Sequence, residues 1–281
     1  MEKIGVIGSG TMGAGIAQHL ATSGCEVVMH DVKSQYLEDG MERIASFLSR
    51  SVEKEKLTEG EKEDILEAIT TSTDLKMMKD RDLIIEAATE DMDVKKKIFH
   101  DLDTICPEET IIATNTSALS ITELATSIER PEKVLGIHFF NPVPLMELVE
   151  CVRALTTDDE IYRKCCDFIS STGKEVVEVK ESPGFIVNRI LIPMINEAAF
   201  LLQNGVASAE DIDTAMKKGA NHPIGPLALG DMIGLDVCLS IMETLHEEMG
   251  EDKYRPCQLL RRKVRAGHLG RKSGGGFYEY S

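Results

Sequence analysis

The sharpest chemical signal in the sequence comes from an imidazole and a carboxylate on neighbouring apolar runs. His138 ends the run Val134-Leu-Gly-Ile-His138, and Glu150 lies inside the run Met146–Val152. The connection Pro142–Leu145 is too short for a helical crossover, so the two runs are expected to pair antiparallel. Strand alternation then puts Met146, Leu148 and Glu150 on one face. A carboxylate sharing a face with two apolar side chains is costly to bury unless something pairs with it, and His138 is in reach. Such a pair suits the oxidation of a secondary alcohol. The imidazole takes the hydroxyl proton as hydride leaves, and the carboxylate fixes the tautomer and stabilises the imidazolium. General acid–base help of this kind is worth ~10²–10⁴ in rate. Taken singly, the histidine reads as a hydrogen-bonded structural residue and Glu150 as an edge-strand carboxylate, a description that fits Glu147 better.

A hydride needs an acceptor, and the N-terminus supplies a place for one. The apolar run Lys3–Ile7 leads into Gly8-Ser9-Gly10-Thr11-Met12-Gly13, followed by a helical pattern, a second run from Glu26 and an acidic residue, Asp31, at its end. In that setting Gly8 permits the tight turn, Gly10 lets the backbone approach a pyrophosphate, and Gly13 lets the helix pack on the strand. Thr11 and Met12 open the helix, whose unpaired N–H groups face the phosphates. Asp31 accepts hydrogen bonds from ribose hydroxyls and repels a 2′-phosphate, so NAD is expected over NADP, with Lys33 weakening that preference slightly. FAD is the rival cofactor, but no second nucleotide motif is present.

Further polar residues fall where strands end. Asn115-Thr116-Ser117 follows the run Ile111–Thr114, and its amide and hydroxyls suit a nicotinamide or substrate oxygen, although the segment serves equally as a helix N-cap. Asn188, near the start of an otherwise apolar helix, invites a functional contact, with a helix-interior hydrogen bond as the alternative.

These residues need a frame. The first ~180 residues alternate β-rich runs with helical patterns, which predicts a parallel sheet covered by helices. Strands are expected at Lys3–Ile7, Glu26–His30, Leu83–Ala87, Ile111–Thr114, Val134–His138, Met146–Val152 and Glu175–Val179. A Lys- and Glu-rich helical insertion spans about 34–70. Ser182-Pro183-Gly184 punctuates the chain, and the remainder reads as helix, with Ser208 and Asp211 as a capping box. The expected fold is therefore α/β: a Rossmann-type, doubly wound, mainly parallel sheet with a helical arm over 1–183, then an all-α domain over 184–281. The segment Phe185–Gln203 is apolar on nearly all sides, which points to a domain core or an oligomer interface.

Composition narrows the function. A net charge of −17 argues against nucleic-acid and anionic-membrane partners. Seven scattered cysteines show neither zinc-site nor disulfide spacing, so no metal is expected and a reducing compartment, the cytoplasm, is. The longest apolar stretch, Ile190–Leu202, is interrupted by Pro193, Asn196 and Glu197 and is too short for a bilayer.

The motifs GVIGSGTMGAGIA, DLIIEAATED, ATNTSALSIT, GIHFFNPVPLMELVE, SPGFIVNRIL and GHLGRKSGGGFYEY together resemble the L-3-hydroxyacyl-CoA dehydrogenase family over essentially the whole chain, with the stand-alone members of butyrate-type metabolism as the nearest branch. The resemblance implies NAD-dependent interconversion of (S)-3-hydroxybutyryl-CoA and acetoacetyl-CoA. It implies His138 as the base, Glu150 as its partner, and Ser117 and Asn188 as substrate-polarising residues. Glu90, Lys95, Asn115, Asn141 and Lys272, with Ser117, match positions lining the cofactor site, and Asn141 also lies on the substrate side. The helical insertion becomes an arm over the CoA moiety, with Arg50, Lys54 and Lys56 as phosphate partners, although Glu53 and Glu55 interrupt that cluster and a solvated helix face explains any one of them as well. The family's helical domain forms a homodimer. Two rivals stand beside this reading: a related NAD-dependent dehydrogenase of free hydroxyacids or sugar acids, and a non-catalytic NAD-binding sensor. The Ser117, His138, Glu150 and Asn188 set argues against the latter.

Overall fold

Short runs rich in Val and Ile form a sheet whose central strands are buried on both faces, as a parallel sheet covered by helices requires. The computed structural model describes residues 1–280. Its strands are β1 (Lys3–Ile7), β2 (Glu26–His30), β3 (Ile69–Ser72), β4 (Leu83–Glu86), β5 (Ile111–Thr114), β6 (Val134–Phe139), β7 (Leu148–Arg153) and β8 (Glu175–Lys180). They lie in the order β3-β2-β1-β4-β5-β6-β7-β8. β1 to β6 run parallel, β7 is antiparallel to β6, and β8 is parallel to β7. Strand order reverses between β1 and β4, so a crevice opens beyond their carboxyl ends. This is the doubly wound, mainly parallel α/β fold read from the sequence.

Beyond one-residue differences at the ends of β4, β6, β7 and β8, two details differ from the sequence reading. β3 was not expected: of Ile-Thr-Thr-Ser only Ile69 is buried, and a four-residue edge strand carries no alternation. β7 begins at Leu148, because Met146 belongs to the turn, where its N–H donates to Pro142 O. Leu148 and Glu150 still share a face.

Helices flank the sheet: α1 (Thr11–Thr22), α2 (Ser34–Glu53), α3 (Glu59–Glu67), α4 (Met92–Ile105), α5 (Ile121–Ala125) and α6 (Asp159–Ser171). The arm is the pair α2–α3, with α3 started by a capping box at Thr58 and Glu61. Leu37, Ile44, Leu48 and Ile65 of the arm are buried in one core with Ile4, Val6, Ile16, Leu20, Val27 and Met29. Each such side chain contributes roughly 1.5–3 kcal/mol on burial, so the arm's base is fixed to the sheet.

Contacts divide the chain into two units, Met1–Glu181 and Ser182–Ser281. The second is helical: α7 (Val187–Gln203), α8 (Ala209–Gly219), α9 (Pro226–Ile233), α10 (Leu235–Met249) and α11 (Gln258–Arg265). Its core gathers Ile192, Ile195, Leu227, Leu235, Met242 and Leu245. Asn196 interrupts the apolar α7 for a structural reason: it donates to Arg255 O at 3.1 Å and accepts from Cys257 N at 2.7 Å. Ser208 caps α8 by accepting the Asp211 N–H, but the Asp211 carboxylate takes the Ser208 hydroxyl instead of its backbone N–H. The shorter aspartate does not complete the reciprocal box. Among the described residues no helix is long and apolar enough to cross a membrane.

Candidate active site

The glycine loop joins β1 to α1 with a geometry only glycine accepts. Gly8 has φ +96°, and a Cβ there would lie 2.6 Å from Ala87 O. A Cβ on Gly13 would lie 1.9 Å from Gly8 O, so helix and loop touch backbone to backbone. A Cβ on Gly10 would meet nothing within 4 Å, which leaves open space above the loop. Gly10 is the N-cap of α1 and offers no side-chain bond, and the first turn, with Thr11 exposed and Met12 packed against the core, holds no acidic residue. Open space over uncapped N–H groups fits a pyrophosphate. Asp31 closes the loop from the end of β2. Its carboxylate accepts from Ser9 N (2.8 Å), Ser9 Oγ (2.9 Å) and Val32 N (2.7 Å), and it stays partly exposed for ribose hydroxyls. Arg43 of the arm adds a bond to Ser9 O at 3.2 Å. These residues fit an NAD dinucleotide.

Beyond β4 and β5 lies a polar network whose anchor the sequence reading passed over. Glu86 ends the apolar β4 with no exposed surface, and accepts from Lys95 Nζ (2.8 Å to each oxygen), Thr114 Oγ1 (2.8 Å) and Ala88 N (2.7 Å). Lys95, 1% exposed, turns its ammonium to Glu86, with Glu90 at 3.6 Å. Glu90 in turn accepts from Thr116 Oγ1 (2.6 Å), Ser117 N (2.8 Å) and Ser117 Oγ (3.1 Å). Burial alone would raise the Glu90 pKa, but the Lys95 ammonium and then the Thr116 and Ser117 bonds hold it below the usual carboxylate range. Of the expected site residues, Glu90, Lys95 and Ser117 thus form one connected cluster. A glutamate closing an apolar strand was the available clue to Glu86; Arg43 carries no local signal.

The acid–base pair forms where the short connection placed it. β6 and β7 are in register with His138 opposite Glu150. His138 Nδ1 lies 2.8 Å from Glu150 Oε2, with His138 6% and Glu150 1% exposed. The Phe140 ring packs edge-on against the imidazole at 4.6 Å. Asn115 leads out of β5, donates its N–H to Glu86 O (2.7 Å) and accepts from Phe139 N at Oδ1 (2.8 Å), tying β6's end to the polar network. Asn141 stands exposed at the head of the β6–β7 turn.

The remaining candidates lie on the arm and in the second unit. Arg50, in the last turn of α2, and Lys54, its C-cap, are exposed on the arm; Arg50 joins Asp39, Glu42 and Arg43 around a depression of about 500 Å³. In the second unit, Asn188 lies in the first turn of α7, and Lys272 pairs with Asp236 at 2.7 Å.

An acid–base pair set beyond the same sheet edge as a dinucleotide loop is the arrangement of a nicotinamide-dependent dehydrogenase. The family model for the 3-hydroxyacyl-CoA dehydrogenase NAD binding domain matches residues 3–182, and that for its C-terminal domain matches residues 184–280. A 3-hydroxybutyryl-CoA dehydrogenase of Bradyrhizobium diazoefficiens is 51% identical over 280 residues, covering 100% of this chain and 96% of its own. The enzyme of that name from Clostridioides difficile is 50% identical over 279 residues, covering 99% of each. The crystal structure of the (S)-3-hydroxybutyryl-CoA dehydrogenase of Ralstonia eutropha is similar with a TM-score of 0.97 and 50% identity, over 100% of this chain and 99% of that one. The chain belongs to the 3-hydroxyacyl-CoA dehydrogenase family.

Proposed function

We propose that this protein interconverts (S)-3-hydroxybutyryl-CoA and acetoacetyl-CoA with NAD. The observation that carries the reading is the His138–Glu150 pair, 2.8 Å apart and nearly buried, beside the sheet edge that holds the glycine loop. Full-length likeness to enzymes of that name supports the substrate.

The Gly8–Gly13 loop and Asp31 would hold NAD, which would supply the acceptor for the hydride from the carbinol carbon. With Nδ1 committed to Glu150, His138 takes the hydroxyl proton at Nε2 and returns it in the reverse direction. Glu150 holds the Nδ1 proton and offsets the imidazolium charge as it forms. Ser117, oriented by Glu90, polarises the substrate oxygen together with Asn188; for Asn188 the support is the family motif SPGFIVNR. Glu90, Lys95, Asn115, Asn141 and Lys272 line the cofactor side, and Arg50 and Lys54 of the arm meet the CoA phosphates, again on the family pattern. The second unit carries dimerisation and part of the substrate site, which suits its exposed Ile190, Val206 and Met232. Seven cysteines present as thiols support a cytoplasmic setting.

The test is absorbance-monitored NADH consumption with acetoacetyl-CoA, run beside NADPH and free acetoacetate. Fast oxidation of NADH with the CoA ester alone is expected. Turnover of the free acid at an equal rate, or none with the ester while NADH still binds, would end this reading.

A further inference from the structure

The β6–β7 turn that carries Asn141 is held by a cation that the mechanism above does not use. Lys174, in the connection from α6 to β8, is 7% exposed and pairs with no carboxylate at ion-pair distance among the described residues. A buried ammonium without a counter-ion is costly unless its protons are taken up. Lys174 Nζ donates to Val143 O at 2.6 Å and to Met146 O at 2.7 Å. Burial pushes its pKa down from the ordinary lysine value, with Glu147 offsetting part of the effect.

Those two carbonyls belong to a turn already closed on itself. Leu145 N and Met146 N both donate to Pro142 O, at 2.9 and 3.0 Å, which turns Val143 O and Met146 O outward to the ammonium. On the other side the turn rests on α1: Val143 is 1% exposed, and a Cβ on Gly15 would come within 3.1 Å of its Cβ. The turn is therefore clamped between the helix that begins at the glycine loop and the Lys174 cation. Its leading arm is Phe139-Phe140-Asn141, in which Phe140 packs on His138 and Phe139 N is held by Asn115. A displaced turn moves Asn141 and the packing of the His138 ring together.

We propose that Lys174 is a positioning residue for the proton-transfer reaction, acting through the Asn141–Glu147 turn on Asn141 and the His138 side chain. The proposal rests on the dehydrogenase reading above. Misplacement of a reacting group by about 1 Å costs on the order of 10²-fold in rate, so the effect belongs in kcat more than in cofactor affinity.

Lys174→Met keeps the chain length and removes the donors; Lys174→Arg keeps donors. In the full-length enzyme, Lys174→Met is expected to lower kcat with acetoacetyl-CoA about 10- to 100-fold while NADH affinity, read by fluorescence, falls by a far smaller factor. Lys174→Arg should recover most of that loss. In a double-mutant cycle with Asn141→Ala, the two losses should be less than multiplicative, because both act on one turn. Hydrogen exchange over residues 142–147 should quicken in Lys174→Met. If methionine prevents folding, Lys174→Gln enters the same cycle. Parent-like kcat, equal loss of NADH affinity, or multiplicative losses would overturn the proposal. A parent enzyme without turnover overturns the dehydrogenase reading and this proposal with it; an active parent with an indifferent Lys174→Met overturns this proposal alone.

Discussion

Both units of this molecule bury carboxylates, and they satisfy them differently. In the first unit Glu86, fully enclosed, faces Lys95, and Glu150 faces His138; both partners are ionisable side chains. In the second unit Asp213 accepts from Leu227 N, Ala228 N and Tyr278 OH, and Asp231 from Phe277 N, Tyr278 N and Tyr280 OH. Backbone amides and phenols are donors fixed by the fold, and here they fasten the C-terminal tail over α8 and α9. The tail is fitted to Asp231 so closely that a Cβ on Gly276 would lie 2.0 Å from its carboxylate oxygen. Burial of an acid is thus no guide to chemistry by itself. Its partner's identity is the better guide: the proposed site pairs its buried acids with ionisable side chains, and the helical unit pairs its own with fixed donors.

Breaking the ionisable pairing should give the largest effect. His138→Gln is expected to fold and to bind NADH while its turnover with acetoacetyl-CoA falls by about 10³-fold or more. Glu150→Gln keeps the shape but loses the charge, and should cost about 10²-fold with a changed pH–rate profile. Stopped-flow and steady-state kinetics check both. Parent-like turnover in His138→Gln removes it from the mechanism, and an unchanged pH profile in Glu150→Gln undoes the pairing.

Breaking the fixed-donor pairing should cost stability instead. Asp231→Asn puts an NH₂ group against donors that the carboxylate now accepts, and should lose about 3 kcal/mol of unfolding free energy. Urea titration measures the loss. Turnover per folded molecule should fall far less than in His138→Gln. A variant as stable as the parent but catalytically dead would reverse the assignment of Asp231.

How much of this was legible depends on the range of the contact. The strands came from runs of Val, Ile and Leu, and the His138–Glu150 pair from alternation plus a connection too short to cross over; both signals are local. β3 was illegible because Thr70 and Thr71 are exposed on an edge strand. Lys95 reads in sequence as one cation of a charged helix, and only the packing of α4 shows that its ammonium points inward to Glu86. Arg43 reaches Ser9 across 34 positions, and Lys174 reaches Val143 across 31, with nothing in the intervening residues to announce either bond. The roles proposed for Asn188 and Lys272 are legible only as family pattern.

The rule about partners is sharpened by a half-buried histidine that has no carboxylate partner. His19 of α1 lies edge-on to Phe139 at 6.2 Å, and its Nε2 lies 2.9 Å from Thr172 Oγ1. Thr172 donates its own proton to Ile169 O at 2.7 Å, so the imidazole is the donor in that contact. Burial first, and then the Lys174 cation, push its pKa down to about 4. The fold therefore holds His19 neutral, whereas the unfolded chain protonates it below about pH 6.5. Unfolding takes up a proton in that window, so this contribution is complete above pH 6.5 and is lost as pH falls towards 4. Between pH 7.5 and pH 5, above the range where most carboxylates titrate, it should amount to about 2 kcal/mol. His19→Gln lacks the titration and should lose correspondingly less stability over the same interval in urea melts, with its pH–rate profile near that of the parent. Identical pH slopes for parent and variant would mean that His19 is not held neutral. A shifted rate profile would place it among the chemical groups, and the distinction between ionisable and fixed partners would then fail at this residue.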